Sequence, residues 1–259
     1  MDLYTQSDLY CAAFDYSVTQ DVRWALDTCT GLMGRVPETV LEPMCGNARY
    51  AADFIDMGLH YFGFDRSKDM LDRAEARSMQ ELLVADACEF EIDRPCFDMA
   101  WCPINSIRHL HETNDLIRHL RCVSRHLADD GLYLIETDVA RKDGTKVDDR
   151  PITWRTEQSD GTVIQASWRT IESNPDCSKV TELGRIERYR DDDCIEMVET
   201  EYEMCLPTAA QWIDIASQAG CLLAKAGIRE QGQWAGIHPM EDSIGEQNEA
   251  VMLIIQPAH

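Results

Sequence analysis

Val40-Leu41-Glu42-Pro43-Met44-Cys45-Gly46-Asn47-Ala48-Arg49-Tyr50 is the stretch from which the rest of the chain can be read. It opens as a short apolar strand, passes an acid at Glu42, turns at Gly46 and continues as a helix through Met57 that Gly58 stops. A second apolar strand, Tyr61-Phe62-Gly63-Phe64, ends at Asp65. Strand, tight turn, helix and strand-plus-acid in that order form half of a nucleotide-binding βαβ unit. The turn lets the backbone approach a ligand, and the helix N-terminus offers free N–H groups to an anion. An acid at the tip of the second strand can accept two hydrogen bonds from a ribose diol.

Upstream, Tyr4, Tyr10, Phe14 and Tyr16 make residues 1 to 16 rich in aromatics. Ser17 or Thr19 is placed to cap a helix whose apolar face is Val18, Val22, Ala25, Leu26, Cys29, Leu32 and Met33, with Gly34 as its end. Downstream, Ser67 caps a helix with Met70, Leu71 and Ala74 on one face. Leu82-Leu83-Val84-Ala85 reads as a third strand ending at Asp86, and Phe97–Cys102 as a fourth. In an open α/β sheet the ligand crevice lies beyond the carboxyl ends of the strands, so Cys102 to Leu110 should line it. Thr113 caps a helix with the buried stripe Leu116, Ile117, Leu120, Val123 and Leu127, while His119 and His126, among arginines, read as surface. Asp130-Gly131 turns into a fifth strand, Leu132–Glu136, with Thr137 and Asp138 at its end facing either substrate or solvent.

The pattern changes at 140. After a loop at Lys142-Asp143-Gly144 come Ile152–Glu157, Thr162–Ile171, Val180–Arg190 and Cys194–Met204, separated by Ser159-Asp160-Gly161, Asn174-Pro175-Asp176 and Asp191-Asp192-Asp193. Partial alternation between turn signals predicts an antiparallel β insertion of three or four strands. It can cover a substrate pocket, pair two copies of the chain, or both; Trp154, Arg155, Trp168 and Arg188 are its candidates to reach inward. Pro207-Thr208 opens a helix over Ala209–Ala219, and Cys221–Ile228 and Val251–Ile255 are strands with a loop, Gly236 to Glu249, between them.

At 259 residues the chain can hold one large α/β domain, or one with a small cap. A net charge of −23 and the lack of a basic stripe argue against nucleic acid and anionic membrane surfaces as partners. The eleven cysteines include no Cys-x-x-Cys pair, so neither a disulfide framework nor a metal site is expected. Cys45, Cys102 and Cys122 read as small apolar fillers. Met1-Asp2-Leu3-Tyr4 has neither the basic nor the apolar region of a secretory leader, and no apolar run approaches the roughly 20 residues that span a bilayer. These features predict a cytoplasmic protein.

Leu41-Glu42-Pro43-Met44-Cys45-Gly46 followed by Gly63-Phe64-Asp65-Arg66-Ser67-Lys68-Asp69-Met70-Leu71 resembles the first two motifs of the class I S-adenosylmethionine (SAM)-dependent methyltransferases. The resemblance runs from about Tyr10 to Val139 and is looser beyond. Met44 and Ala48 stand where the family usually has the outer two glycines of the turn; Met44 is therefore expected at negative φ with its side chain pointing away. Cys102-Pro103-Ile104-Asn105-Ser106-Ile107-Arg108-His109-Leu110 is similar to the Asn-Ser-x-x-His-Leu segment of glycine N-methyltransferase and the Ser-x-x-His-Leu segment of sugar-amine N,N-dimethyltransferases.

The resemblance implies a Rossmann-like, seven-stranded, mostly parallel sheet with helices on both faces, to which the antiparallel β insertion is added. It divides the chain into an N-terminal lid and SAM-binding core over 1–139, the insertion over 140–206 and a completion of the core over 207–259. It implies SAM as cofactor, held by Glu42, Cys45, Gly46, Asp65, Arg66, Met70, Asp86, Ala87 and Cys102, with Met70 beneath the adenine and Asp86 and the Ala87 backbone on its amino group and ring nitrogen. His109 and Tyr10 fall on the family's active-site positions, and Tyr16, Asn105, Arg108 and Trp154 are substrate-binding candidates. The reaction so implied is methyl transfer to a small molecule, at nitrogen more than at oxygen or sulfur, with a homodimer through the β insertion as the partner expectation. Three rivals stay open: a nicotinamide-dependent oxidoreductase, for which Asp65 at nineteen residues beyond Gly46 suits the ribose but a full Gly-x-Gly-x-x-Gly is lacking, a SAM-binding scaffold with a degenerate site, for which Met44 is the support, and a SAM-using enzyme that does something other than transfer a methyl.

Overall fold

The computed structural model describes residues 7–74, 80–93, 96–140, 150–174, 179–230, 232–240 and 250–258. Tyr4, the Lys142-Asp143-Gly144 loop, Pro175-Asp176 and residues 241–249 lie outside them. The elements are α1 (Ser7–Ala13), α2 (Thr19–Met33), β1 (Thr39–Pro43), α3 (Ala51–Asp56), β2 (His60–Asp65), α4 (Lys68–Leu71), β3 (Gln80–Val84), β4 (Phe97–Cys102), a 3-10 turn (Ser106–His109), α5 (Thr113–Arg125), β5 (Leu127–Thr137), β6 (Ile152–Glu157), β7 (Val163–Asn174), β8 (Lys179–Arg190), β9 (Asp193–Cys205), α6 (Ala209–Gln218), β10 (Cys221–Glu230), β11 (Gln233–Pro239) and β12 (Val251–Pro257).

The large sheet has the strand order β11-β10-β12-β5-β4-β1-β2-β3. β3, β2, β1, β4 and β5 are parallel, and β12, β10 and β11 are added antiparallel. Alternation along the strands gives the sheet two apolar faces. Leu41, Ala100, Cys102, Tyr133 and Ile135 point to one face, under Leu116, Leu120 and Val123 of α5 and Trp212 and Ile215 of α6. Val40, Met99, Trp101, Leu132 and Leu134 point to the other, under Val22, Ala25 and Cys29 of α2 and Phe54 of α3. Parallel strands are as a rule buried on both faces, and β1, β2, β4 and the parallel-paired end of β5 are, whereas β3, at the edge of the sheet, is largely exposed. A separate four-stranded antiparallel sheet, β6-β7-β8-β9, carries the segments expected of the insertion.

Several local expectations are corrected. The stretch read as a loop from Gly236 begins inside β11, an eighth strand pairing antiparallel with β10. It is an exposed edge strand, so its apolar pattern is weak; what holds it is Trp234 stacked on Trp24 of α2 at 5.2 Å. Met44 sits at φ +56, not at negative φ. The turn requires this, because the next N–H, that of Cys45, donates to the Phe64 carbonyl at 3.0 Å and carries the β1–β2 ladder into the turn. A left-handed residue with a Cβ costs about 1–2 kcal/mol. Glu112, not Thr113, stands at the N-cap position of α5, and Val18, between the two candidates, at that of α2, neither with a side-chain cap hydrogen bond, while Thr19 Oγ1 donates to Asp53 at 2.5 Å. His126 is buried: its Nδ1 pairs with the Cys122 carbonyl at 2.7 Å, and Nε2 accepts the Ile92 N–H at 3.2 Å.

Candidate active site

A cleft of about 1030 Å³ opens beyond the carboxyl ends of β1, β2, β3 and β4. Its floor is the turn after β1. The Gly46 N–H donates to Asp65 Oδ2 at 2.8 Å and the Ser67 N–H to Oδ1 at 2.8 Å, so the acid at the tip of β2 is held against the turn after β1. Gly46 has φ +56, and a Cβ there would stand 3.3 Å from Met70 Cε; backbone and thioether together form a slim cradle. Gly63 is needed for a different reason: a Cβ would meet Tyr61 Oη at 2.8 Å and Cys45 Sγ at 2.9 Å beneath the turn. At the bottom, Glu42 is 2% exposed and accepts the Tyr61 hydroxyl at 2.6 Å. Burial pushes its carboxyl up to about 8, against the opposing pull of the Tyr61 hydrogen bond.

Beyond β3, Asp86 accepts the Cys88 N–H at 2.7 Å, which turns the chain so that Ala85, Asp86 and Ala87 all line the cleft. The Ala87 carbonyl lies 2.8 Å from His119 Nδ1, and His119 Nε2 lies 2.7 Å from Tyr133 Oη. A carbonyl only accepts, so Nδ1 carries the proton and Nε2 accepts from the phenol. Burial holds the imidazole down to about 4, hence neutral. The expectation that His119 is a surface residue is thus corrected: it pins the Asp86–Ala87 wall to β5.

The opposite wall is α1. Leu9 and Ala13 pack on Ile164, Ala166, Ile186 and Val198 of the small sheet. Trp154 Nε1–H donates to the Ala13 carbonyl at 2.7 Å and Thr156 Oγ1–H to that of Ala12 at 2.8 Å. Held this way, α1 presents Tyr10 and, just beyond its end, Phe14 to the cleft, their rings 4.6 Å apart. Burial pushes the Tyr10 phenol up to about 12, so at neutral pH it keeps its proton. Facing it is the 3-10 turn, from which Ser106 and His109 line the cleft together with Pro103, Ile104 and Leu110.

Of the residues singled out in the sequence, Glu42, Cys45, Gly46, Asp65, Arg66, Met70, Asp86, Ala87, Tyr10 and His109 line the cleft. Five do not, and each is placed elsewhere by its partners. Cys102 is fully buried within the sheet. Tyr16 is largely exposed, its ring 4.7 Å from the Arg49 guanidinium. Trp154 stacks on Trp168 at 5.2 Å and braces α1 from behind. Asn105 closes on Asp138, its Nδ2 donating to Oδ2 at 3.1 Å and its Oδ1 accepting the Asp138 N–H at 2.7 Å. Arg108 is 2% exposed and fully engaged away from the cleft, with Asp138 at 2.7 Å, Glu182 at 2.6 Å and the Cys205 carbonyl at 2.9 Å.

Arg49 lines the cleft and escaped the sequence reading. It donates to the Phe14 carbonyl at 3.0 Å and to Tyr50 Oη at 2.8 Å, while its buried Nε has no hydrogen-bond partner among the described residues. The available signal was a lone cation on the apolar run that follows the glycine turn. Among the described residues, no group of His, Cys, Asp and Glu is arranged to hold a metal ion, and no helix is long and apolar enough to cross a membrane.

Residues 40–131, from β1 to the glycine of β5, match the methyltransferase-domain family. The chain carries a methyltransferase domain. The whole chain shares its fold with solved methyltransferases. One is an S-adenosylmethionine-dependent methyltransferase from Clostridium acetobutylicum, at TM-score 0.72 and 12% identity, with 100% of each chain covered. Another is DesVI of Streptomyces venezuelae, at TM-score 0.77 and 14% identity over 100% of this chain and 99% of that one. A third is CalS10, an amino pentose methyltransferase from Micromonospora echinaspora, at TM-score 0.71 and 15% identity over 98% and 97%. No curated protein matches the sequence.

Proposed function

We propose that this chain transfers a methyl group from SAM to a small molecule, at an amine nitrogen. The reading rests on one observation: the β2 acid, Asp65, is tied by a backbone hydrogen bond to the glycine turn, in a cleft whose facing walls present His109 and Tyr10. It draws further support from the domain match and from the SAM-dependent and amino-sugar methyltransferases that share the fold. Asp65 would hold the ribose diol, and Asp86 and the Ala87 N–H the adenine edge above Met70. Arg49, with a donor to spare, suits the carboxylate of the methionyl end, and Glu42 its ammonium.

The sulfonium supplies a methyl group that is already activated, so positioning is most of what the protein must add. An acceptor amine has to lose its proton before it attacks. His109 can take that proton on its imidazole, while the Tyr10 hydroxyl oxygen accepts an N–H of the acceptor and so aims the nitrogen lone pair. The strongly acidic chain, at −23, favours a cationic acceptor over an anionic one. We also infer that 140–206 acts as cap, with 1–139 and 207–259 forming the core. Pairing of two copies through the small sheet draws support from exposed Ile152 on β6 and Ile195 and Met197 on β9, and sedimentation of the purified protein checks it.

Thermal unfolding with SAM, S-adenosylhomocysteine, NAD or no ligand tests the cofactor. A ligand at one hundred times its Kd should add about 2.7 kcal/mol, read as a rise of roughly 5–11 °C at about 2–4 °C per kcal/mol. A rise with NAD and none with the adenosyl ligands would overturn the reading. His109→Gln should lower kcat by about 10²–10⁴-fold on an acceptor found by screening amines, hydroxyls and thiols, with the SAM-induced rise intact. Full turnover by that variant would remove His109 from the chemistry.

A further inference from the structure

The turn that carries His109 is fastened far more heavily than a surface connection needs. It begins with two consecutive left-handed residues, Ile104 at φ +47 and Asn105 at φ +61. A β-branched residue at positive φ persists only where its surroundings hold it there. Here the Ile104 N–H donates to Glu136 Oε2 at 2.8 Å, the Asn105 N–H to the Glu136 carbonyl at 3.2 Å, and Asn105 clasps Asp138. Those bonds fix the turn to β5. Arg108 adds a second anchorage. Its guanidinium spans from Asp138 at the end of β5 to Glu182 on β8, with Nε on the Cys205 carbonyl at the end of β9. The next residue, His109, meets Tyr202 of β9 edge-on, ring centres 5.8 Å apart at 84°.

A buried cation with three partners is a poor source of stability, because desolvation consumes most of the attraction and apolar replacements do as well or better. What a planar fork of donors does supply is direction. We propose that Arg108 and Glu182 form a strut by which the antiparallel sheet positions His109 in the cleft. The small sheet then does more than hold α1 over the site: its strands β8 and β9 set the aim of the residue assigned to the acceptor. Arg108 touches neither cofactor nor acceptor and acts through its neighbour. The proposal rests on the functional reading of His109, but its geometry can be measured without any turnover.

The test is nuclear magnetic resonance of the full chain, with and without S-adenosylhomocysteine, following the cross-peaks between the His109 and Tyr202 rings. The His109 signals are assigned with His109→Gln. Glu182→Gln keeps the shape and removes the charge that orients the fork; Arg108→Lys keeps the charge and removes the fork. Both are expected to lose the His109–Tyr202 cross-peaks while retaining the wild-type affinity for S-adenosylhomocysteine by calorimetry. Lys179→Met is the control. It breaks another link between the small sheet and the cleft rim, Lys179 to Glu112 at 2.6 Å, but Glu112 is exposed and the cross-peaks should survive. Undiminished cross-peaks in a folded Glu182→Gln protein would overturn the strut, whether or not Arg108→Lys folds. Failure of the wild type to bind S-adenosylhomocysteine would instead strike the cofactor reading, since the cross-peaks are also read without ligand.

Discussion

Replacing Asp65 with alanine is expected to weaken SAM binding on the order of 100-fold or more. Hydrogen bonds to a charged acceptor contribute about 1.5–3 kcal/mol each, and a ribose diol makes two; the lower bound of about 3 kcal/mol already corresponds to about 100-fold. The carboxylate has a second task. It accepts the Gly46 and Ser67 N–H groups, and without it two backbone donors at the floor of the cleft lose their partner. Asp65→Asn separates the two tasks. An amide oxygen can still take one of the N–H groups, but the side chain no longer carries charge and offers one acceptor atom instead of two. Its affinity should fall between wild type and alanine, and so should its thermal stability, since one backbone N–H is left facing the amide group. Calorimetry with SAM reads both variants, and an alanine variant that binds as tightly as wild type would sink the assignment of Asp65 to the ribose.

The parts of this molecule that the sequence reveals are those set by local pattern. Short apolar runs became β1, β2 and β4 because a parallel strand covered on both faces is largely apolar along its length. Alternation between turn residues announced the small sheet, since its strands have one face against α1 and one toward water. Of the residues proposed to hold the cofactor, all but Cys102 line the cleft, and they were legible for the same reason: they sit at strand tips and in one turn, within a few residues of the pattern that names them. What was hidden depends on distant partners. Arg108 reads as an exposed cation near a substrate pocket until Asp138 and Glu182 fold onto it from 30 and 74 residues away. His119 sits on a helix crowded with arginine and His126 at its end, and the Ala87 and Cys122 carbonyls, Tyr133 and the Ile92 N–H make their burial tolerable. The left-handed Met44 is set by the hydrogen bond its successor makes to β2, which no propensity records.

Stability and cofactor binding are expected to depend on pH in opposite senses, through Glu42. Burial raises its folded pKa to about 8 from 4.5, so the folded chain holds a proton there that the unfolded chain has released. The contribution of the protonated acid is complete below about pH 4.5 and is lost as pH rises through about 8, a difference on the order of 5 kcal/mol at 1.36 kcal/mol per unit. His119 works from the other side. Its folded pKa is depressed to about 4 from 6.5, so the neutral imidazole contributes fully above 6.5 and that contribution fades as pH falls through 4, on the order of 3 kcal/mol. The ligand-free protein should therefore be most stable between about pH 5 and 6 as far as these two groups decide. A bound ammonium beside Glu42 favours the carboxylate, so SAM binding should expel the proton, and its affinity should climb by up to about tenfold per pH unit until about pH 8. Calorimetry at pH 7 in two buffers of different ionisation enthalpy reads that proton directly. Glu42→Gln should flatten the alkaline loss of stability and abolish proton release together. Binding of SAM to the wild type with no proton released would separate Glu42 from the ammonium and leave its burial a matter of the fold alone.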